Sequence, residues 1–127
     1  MNYVECFSLK ISWILKIMNT ESIYLSLNKL KHKLVQNYGD EFNKLILFGS
    51  VAKNIFNNDS DVDILIMMNK GSKLDSKIKE QLFDNVFDIE IEDEIPFDVK
   101  FFDKSQLKTI HGRTPFMQNI LNNGVVI

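Results

Sequence analysis

Three short apolar runs constrain this chain more than any other feature: "KLILFG" from Lys44, "DVDILIMM" from Asp61 and "IPFDVKFF" from Ile95. Each is bounded by turn-forming residues and is too short for a buried helix, so each reads as a strand. Between them the apolar period changes to three and four. Ile23, Leu27, Leu30 and Leu34 make a helical stripe over Thr20 to Tyr38, with Thr20 as candidate N-cap and Gly39 as stop. Leu74, Ile78, Leu82 and Val86 make a second stripe over residues 72 to 88. Ser50 to Phe56 has room for one or two helical turns, "NNDS" is loop chemistry, and "EIEDE" (90–94) reads as a solvated acidic turn. Pro96 stands at the start of the third strand, where a missing N–H costs least. Ser105 to Ile110 and Pro115 to Leu121 read as short helices. Gly124 ends the second of these, and "VVI" follows as a short last strand. The order αβαβαβαα(β) predicts an α/β (α+β) fold, a small mixed sheet flanked by helices.

Length and charge narrow the class. At 127 residues, 45% hydrophobic, the chain is one domain with enough apolar surface for one core. A net charge of -2, with Arg113 as the sole arginine, argues against a protein that coats nucleic acid. The lysines from Lys29 to Lys33 read as a solvated helix face, and Phe42, Phe48, Phe101 and Phe102 as core. Cys6 is alone, which excludes an internal disulfide and accords with a reducing cytoplasm, the expected location. His32 and His111 have no zinc-ligand spacing and read as ordinary surface or half-buried histidines. Residues 1–18 carry Glu5, Lys10 and Lys16, too much charge for a membrane span, and lack the pattern of a signal peptide. They read as an N-terminal extension ahead of a single domain over 19–127. Met18 offers an alternative start, and a docking arm is the other reading.

The second strand opens with two aspartates. Side chains alternate along a strand, so Asp61 and Asp63 share a face, with stems about 6–7 Å apart. Carboxylates that close repel and raise one pKa unless a cation lies between them. Mg²⁺ suits such a site, since it takes oxygen ligands from one or two carboxylates together with substrate phosphates. Asp98 completes the group if the third strand lies beside the second. Upstream, Gly49-Ser50 leaves a buried strand and enters a helix. Such a turn presents unpaired N–H groups to an anion, and the Ser50 hydroxyl adds a donor. The two halves form a phosphate clamp facing a metal site, the arrangement for nucleotidyl transfer with two metals about 3.5–4 Å apart. Other readings fail. An EF-hand through Asp59, Asp61 and Asp63 would need Gly at Ile64 and Glu at Lys70. A P-loop would need a following Gly-Lys-Ser/Thr.

"GSVAKNIFNNDSDVD" resembles the Gly-Ser, ten-residue gap, Asp-x-Asp pattern of minimal nucleotidyltransferases, the small DNA-polymerase-β-like enzymes. The similarity runs from about Leu45 to the end. "IPFDVKFFDKSQL" resembles the family's third strand, and "TPFMQNILNNGVVI" its closing helix and Gly-led last strand. The resemblance implies that Gly49 and Ser50 hold the triphosphate and that Asp61 and Asp63 bind both Mg²⁺ ions. It also implies that Asp98, as the third carboxylate and metal ligand, helps activate the attacking hydroxyl. The family's usual arginine after Gly-Ser is Val51 here, its usual glycine is Asn54, and Lys53 keeps a positive charge nearby. Lys100 shares the face of Asp98, so a register shift of two would put a lysine in the carboxylate position.

The implied reaction moves AMP from ATP to a hydroxyl. With no room in this length for an acceptor-binding domain, the acceptor is a partner or is held by one. Stand-alone members of the family are often antitoxins that adenylylate a tyrosine of a HEPN-type toxin, the expected partner. The alternatives are modification of a small hydroxyl compound such as an aminoglycoside, and a non-catalytic binding module that covers its partner.

Overall fold

The structure, a computed structural model, describes residues 3–53, 61–69 and 74–127, with side chains from Thr20 onward. The elements in chain order are α1 (Tyr3–Tyr38), β1 (Phe42–Phe48), α2 (Gly49–Ala52), β2 (Val62–Met68), α3 (Ser76–Asp93), β3 (Phe97–Asp103), α4 (Pro115–Asn123) and β4 (Val125–Val126). The sheet has the order β3-β2-β1-β4. β1 runs antiparallel to both neighbours, and β2 runs parallel to β3 with α3 as the crossover. This is the mixed α/β sheet flanked by helices that the apolar pattern predicts.

Alternation along the strands builds two cores. Leu45, Leu47, Ile64, Ile66 and Met68 face α1 and α3, where Leu27, Leu30, Leu34, Leu82 and Val86 meet them. Ile46, Phe48, Leu65, Met67 and Phe102 face the other way, under Met117 and Ile120 of α4. β2 is buried through both faces, which is why "ILIMM" is continuously apolar.

Four local features differ from the sequence reading. Thr20 does not cap a helix: α1 continues through it from Tyr3, because a capping residue stops nothing when the preceding residues also accept helical geometry. The acidic stretch Glu90–Asp93 is the last turn of α3, not a loop. Its charges have partners: Lys29 of α1 reaches Asp93 at 2.8 Å and Glu92 at 3.3 Å, Ser26 donates to Asp93, and Glu90 accepts from the Phe97 N–H. α3 ends on Glu94, in the left-handed conformation at φ 55. The segment after β3 is a tight 3-10 turn, Lys104–Lys108, held by the buried Asp103 carboxylate in a capping box with Gln106. Pro115 stands in the first turn of α4, where its sequence position suggests; the caps are Asp75 for α3 and Thr114 for α4, which the sequence reading did not single out. Gly124 ends α4 where a side chain would collide with Ile46. The "NNDS" loop, Asn54 and Lys70 lie outside the described residues.

Candidate active site

β1 and β2 are antiparallel in a register that sets Phe48 opposite Asp63, so Gly49, the next residue, starts the turn directly beside that aspartate. Gly49 has φ +75, and a Cβ there would strike Asp63 Oδ2 and lie 3.0 Å from its Cγ. Only glycine meets both demands, one of conformation and one of space. Across β2 the parallel register pairs Asp63 with Asp98 and Leu65 with Lys100. The neighbour of Asp63 is thus the carboxylate and not the lysine. Asp61 sits two residues before Asp63 and is exposed.

The carboxylates feel one another. Partial burial pushes the Asp63 carboxyl above the usual aspartate range. The charge of Asp98, a hydrogen bond to it and the charge of Asp61 push it further, while Lys100 opposes the shift. Lys100 Nζ lies 3.4 Å from Asp98 Oδ1. An oxygen-only donor set under mutual repulsion fits a hard divalent cation. Among the described residues, though, no group of three such side chains is drawn into one ligand cluster.

Directly beside Asp63 begins α2, a single turn with no side-chain cap. Its first N–H groups have no partner within the helix, and the Ser50 side chain is half-exposed. Lys53 closes the turn, its N–H bonding to Gly49 O at 3.3 Å. Val51, in the position of the family's arginine, is buried in the core beneath the turn. The structure therefore brings Gly49 against Asp63 and sets Asp98 beside Asp63 on the next strand, with Ser50 following Gly49 in the turn and Asp61 and Lys53 both exposed. The sequence did not disclose the direct contact of Gly49 with Asp63, which follows from the β1–β2 register. A separate cleft of about 570 Å³ lies toward the far end of β3, lined by Lys79, Phe101, Gln106 and His111 among others.

A mixed sheet that carries paired aspartates on adjacent strands, faced by a Gly-Ser turn, defines a nucleotidyltransferase-type domain. The family described as Polymerase beta, Nucleotidyltransferase matches residues 28–127, and the chain belongs to it. Among solved structures the chain is similar to one from Sulfolobus solfataricus provisionally assigned as a nucleotidyltransferase, at 14% identity and a TM-score of 0.56, over 87% of this chain and 84% of that one. That likeness speaks for the fold. No curated protein matches the chain. Among the described residues no helix is long and apolar enough to cross a membrane.

Proposed function

We propose that this nucleotidyltransferase domain transfers AMP from ATP to a hydroxyl of a protein partner, a tyrosine of a HEPN-type toxin, and so acts as an antitoxin. The observation that carries the transfer chemistry is the contact of Gly49 with Asp63, which joins the phosphate-facing turn to the carboxylates. The partner comes from the resemblance to stand-alone minimal nucleotidyltransferases.

In this reading the N–H groups of Gly49 and Ser50 and the Ser50 hydroxyl hold the triphosphate, with Lys53 adding positive charge. Asp61, Asp63 and Asp98 would hold Mg²⁺, which when bound neutralises phosphate charge. Asp98, on the outer strand, takes the proton of the attacking hydroxyl. The acceptor oxygen bonds to the α-phosphorus, the bond between that phosphorus and the α–β bridging oxygen breaks, and pyrophosphate leaves. No step needs an arginine at position 51, and Val51 serves the core instead.

The experiment is transfer of label from ATP to co-purified partner, with the radiolabel on the α-phosphate in one arm and on the γ-phosphate in the other. AMP transfer predicts labelling from the α position alone. Labelling from γ alone would make the protein a kinase. No labelling from either, with the partner still neutralised, would favour the non-catalytic module.

A further inference from the structure

β3 is the outer strand of the sheet, with β2 on one side only. The Val62 N–H bonds to Pro96 O at 2.9 Å. In a parallel ladder this phase aims the backbone groups of Asp98 and Lys100 at β2. Those of Phe97, Val99 and Phe101 then point away from the sheet. The Phe97 N–H confirms the phase, since it bonds outward to Glu90 Oε1 at 3.3 Å. An open edge of this kind is a template for another strand.

Above the edge, α3 exposes Phe83, Phe87 and Ile91, at 50%, 56% and 62%. Phe83 stacks edge-on against Phe101 at 4.8 Å, and Glu90 reaches Phe97. These two contacts fix how α3 lies along β3. Val99 is midway between Phe97 and Phe101, and Phe87 is close to midway between Phe83 and Glu90. The centre of the open edge and the centre of the apolar stripe therefore coincide.

We propose that this face binds a second copy of the chain. The two β3 strands pair antiparallel with Val99 on the two-fold axis. Val99 and the partner's Val99 exchange backbone hydrogen bonds, and Phe97 does so with the partner's Phe101, its N–H leaving Glu90. On the site face, the same register sets Asp98 opposite the partner's Lys100 and Lys100 opposite the partner's Asp98. Directly opposed unlike charges favour such a register. On the helix face, Phe87 meets the partner's Phe87 across the axis. The surface is thus self-complementary in backbone, charge and apolar contact, as a two-fold interface requires. It also brings a cation from the partner to the carboxylate beside Asp63, so each candidate site includes a residue of the other copy. The interface stands whether or not the proposed transfer reaction is correct.

Sedimentation velocity on the full chain tests this, with circular dichroism as the check on folding. The wild type is expected to sediment as a dimer, at twice the 14.8 kDa chain mass. Phe87→Lys, at an exposed position, places like charges on the axis and is expected to yield a folded monomer. Lys100→Asp opposes two carboxylates and is also expected to yield a monomer, and the reciprocal double variant Asp98→Lys/Lys100→Asp is expected to restore the dimer. A monomeric wild type overturns the proposal. So does a dimer that survives both single variants, or a double variant that stays monomeric while folded.

Discussion

The carboxylate of Asp63 fills the space that a side chain on Gly49 would need. The Gly49-Ser50 turn and the strand that carries the acidic pair are therefore one packed unit, and a change on either side is felt on the other. Gly49→Ala meets two penalties, the left-handed backbone at φ +75 and the clash with Asp63. It should lower stability by about 1–3 kcal/mol and displace Asp63, so that transfer is lost while the protein still folds. Denaturant unfolding and the transfer assay measure the two effects separately.

Asp63 gives a pH signature. Its folded pKa lies above the ordinary aspartate value of 3.8, so ionising it costs more in the folded state than in the unfolded one. The fold loses stability as pH rises from the unfolded value through the raised folded one. Asp63→Asn should therefore raise the Tm of the metal-free protein at neutral pH. That gain should fade below pH 3.8, where both states are protonated. Mg²⁺ should raise the Tm of the wild type and leave that of Asp63→Asn nearly unmoved, and the variant should not transfer AMP. A Tm series against pH, with and without Mg²⁺, checks each part.

Ser50 contributes one side-chain donor among several backbone donors on its turn. Ser50→Ala should weaken the hold on the triphosphate by about 1–3 kcal/mol, the scale of one hydrogen bond to a charged group. Transfer should slow without vanishing, which ATP titration and initial rates would show together.

Asp98 and Lys100 share a strand face, with their charged ends 3.4 Å apart. Asp98→Ala should bind Mg·ATP almost normally and lose about 10²–10⁴ in transfer rate, the range of a general base. Lys100→Ala should keep most of the rate, because a lysine neither ligates Mg²⁺ nor takes the hydroxyl proton. Single-turnover rates at saturating ATP distinguish the two. An active Asp98→Ala beside a dead Lys100→Ala would assign the chemistry to the lysine.

Away from the site, Asp93 is held below the usual aspartate range, first by Lys29 and next by Ser26. A depressed folded pKa stabilises the fold above the unfolded value, and that stability is lost as pH falls through the folded one. Asp93→Asn should lower the Tm at pH 7. The difference from wild type should shrink as acid protonates the wild-type carboxylate, which parallel melts at neutral and acid pH would show.

The strands were legible because burial writes itself into composition: "LILF" and "ILIMM" have no polar side to present, and their turn residues bound them. Asp61 and Asp63 were legible because two charges on one strand face demand a reason. Register was not legible. That Asp98 and not Lys100 lies beside Asp63 depends on how β3 slides along β2, which is set by contacts among Phe97, Val99, Phe101 and α3 and by no local signal. Helix ends were equally hidden. Glu94 ends α3 in a conformation that usually advertises itself with glycine, and Glu92 and Asp93 extend the helix because Lys29, more than sixty residues upstream, neutralises them. A run of like charge looks like a loop until the cation on the other helix is known.

The parallel pairing of β2 with β3 makes the distance between Asp63 and Asp98 a property of the main chain. Adjacent strands are held about 4.8 Å apart by their ladder of hydrogen bonds, whatever side chains they bear. The repulsion between the two carboxylates cannot relax by moving the strands without breaking that ladder. The sheet acts as a gauge block, keeping two anions at a spacing they would not choose. A new pair of donors placed at positions 63 and 98 would inherit that spacing already cut to length.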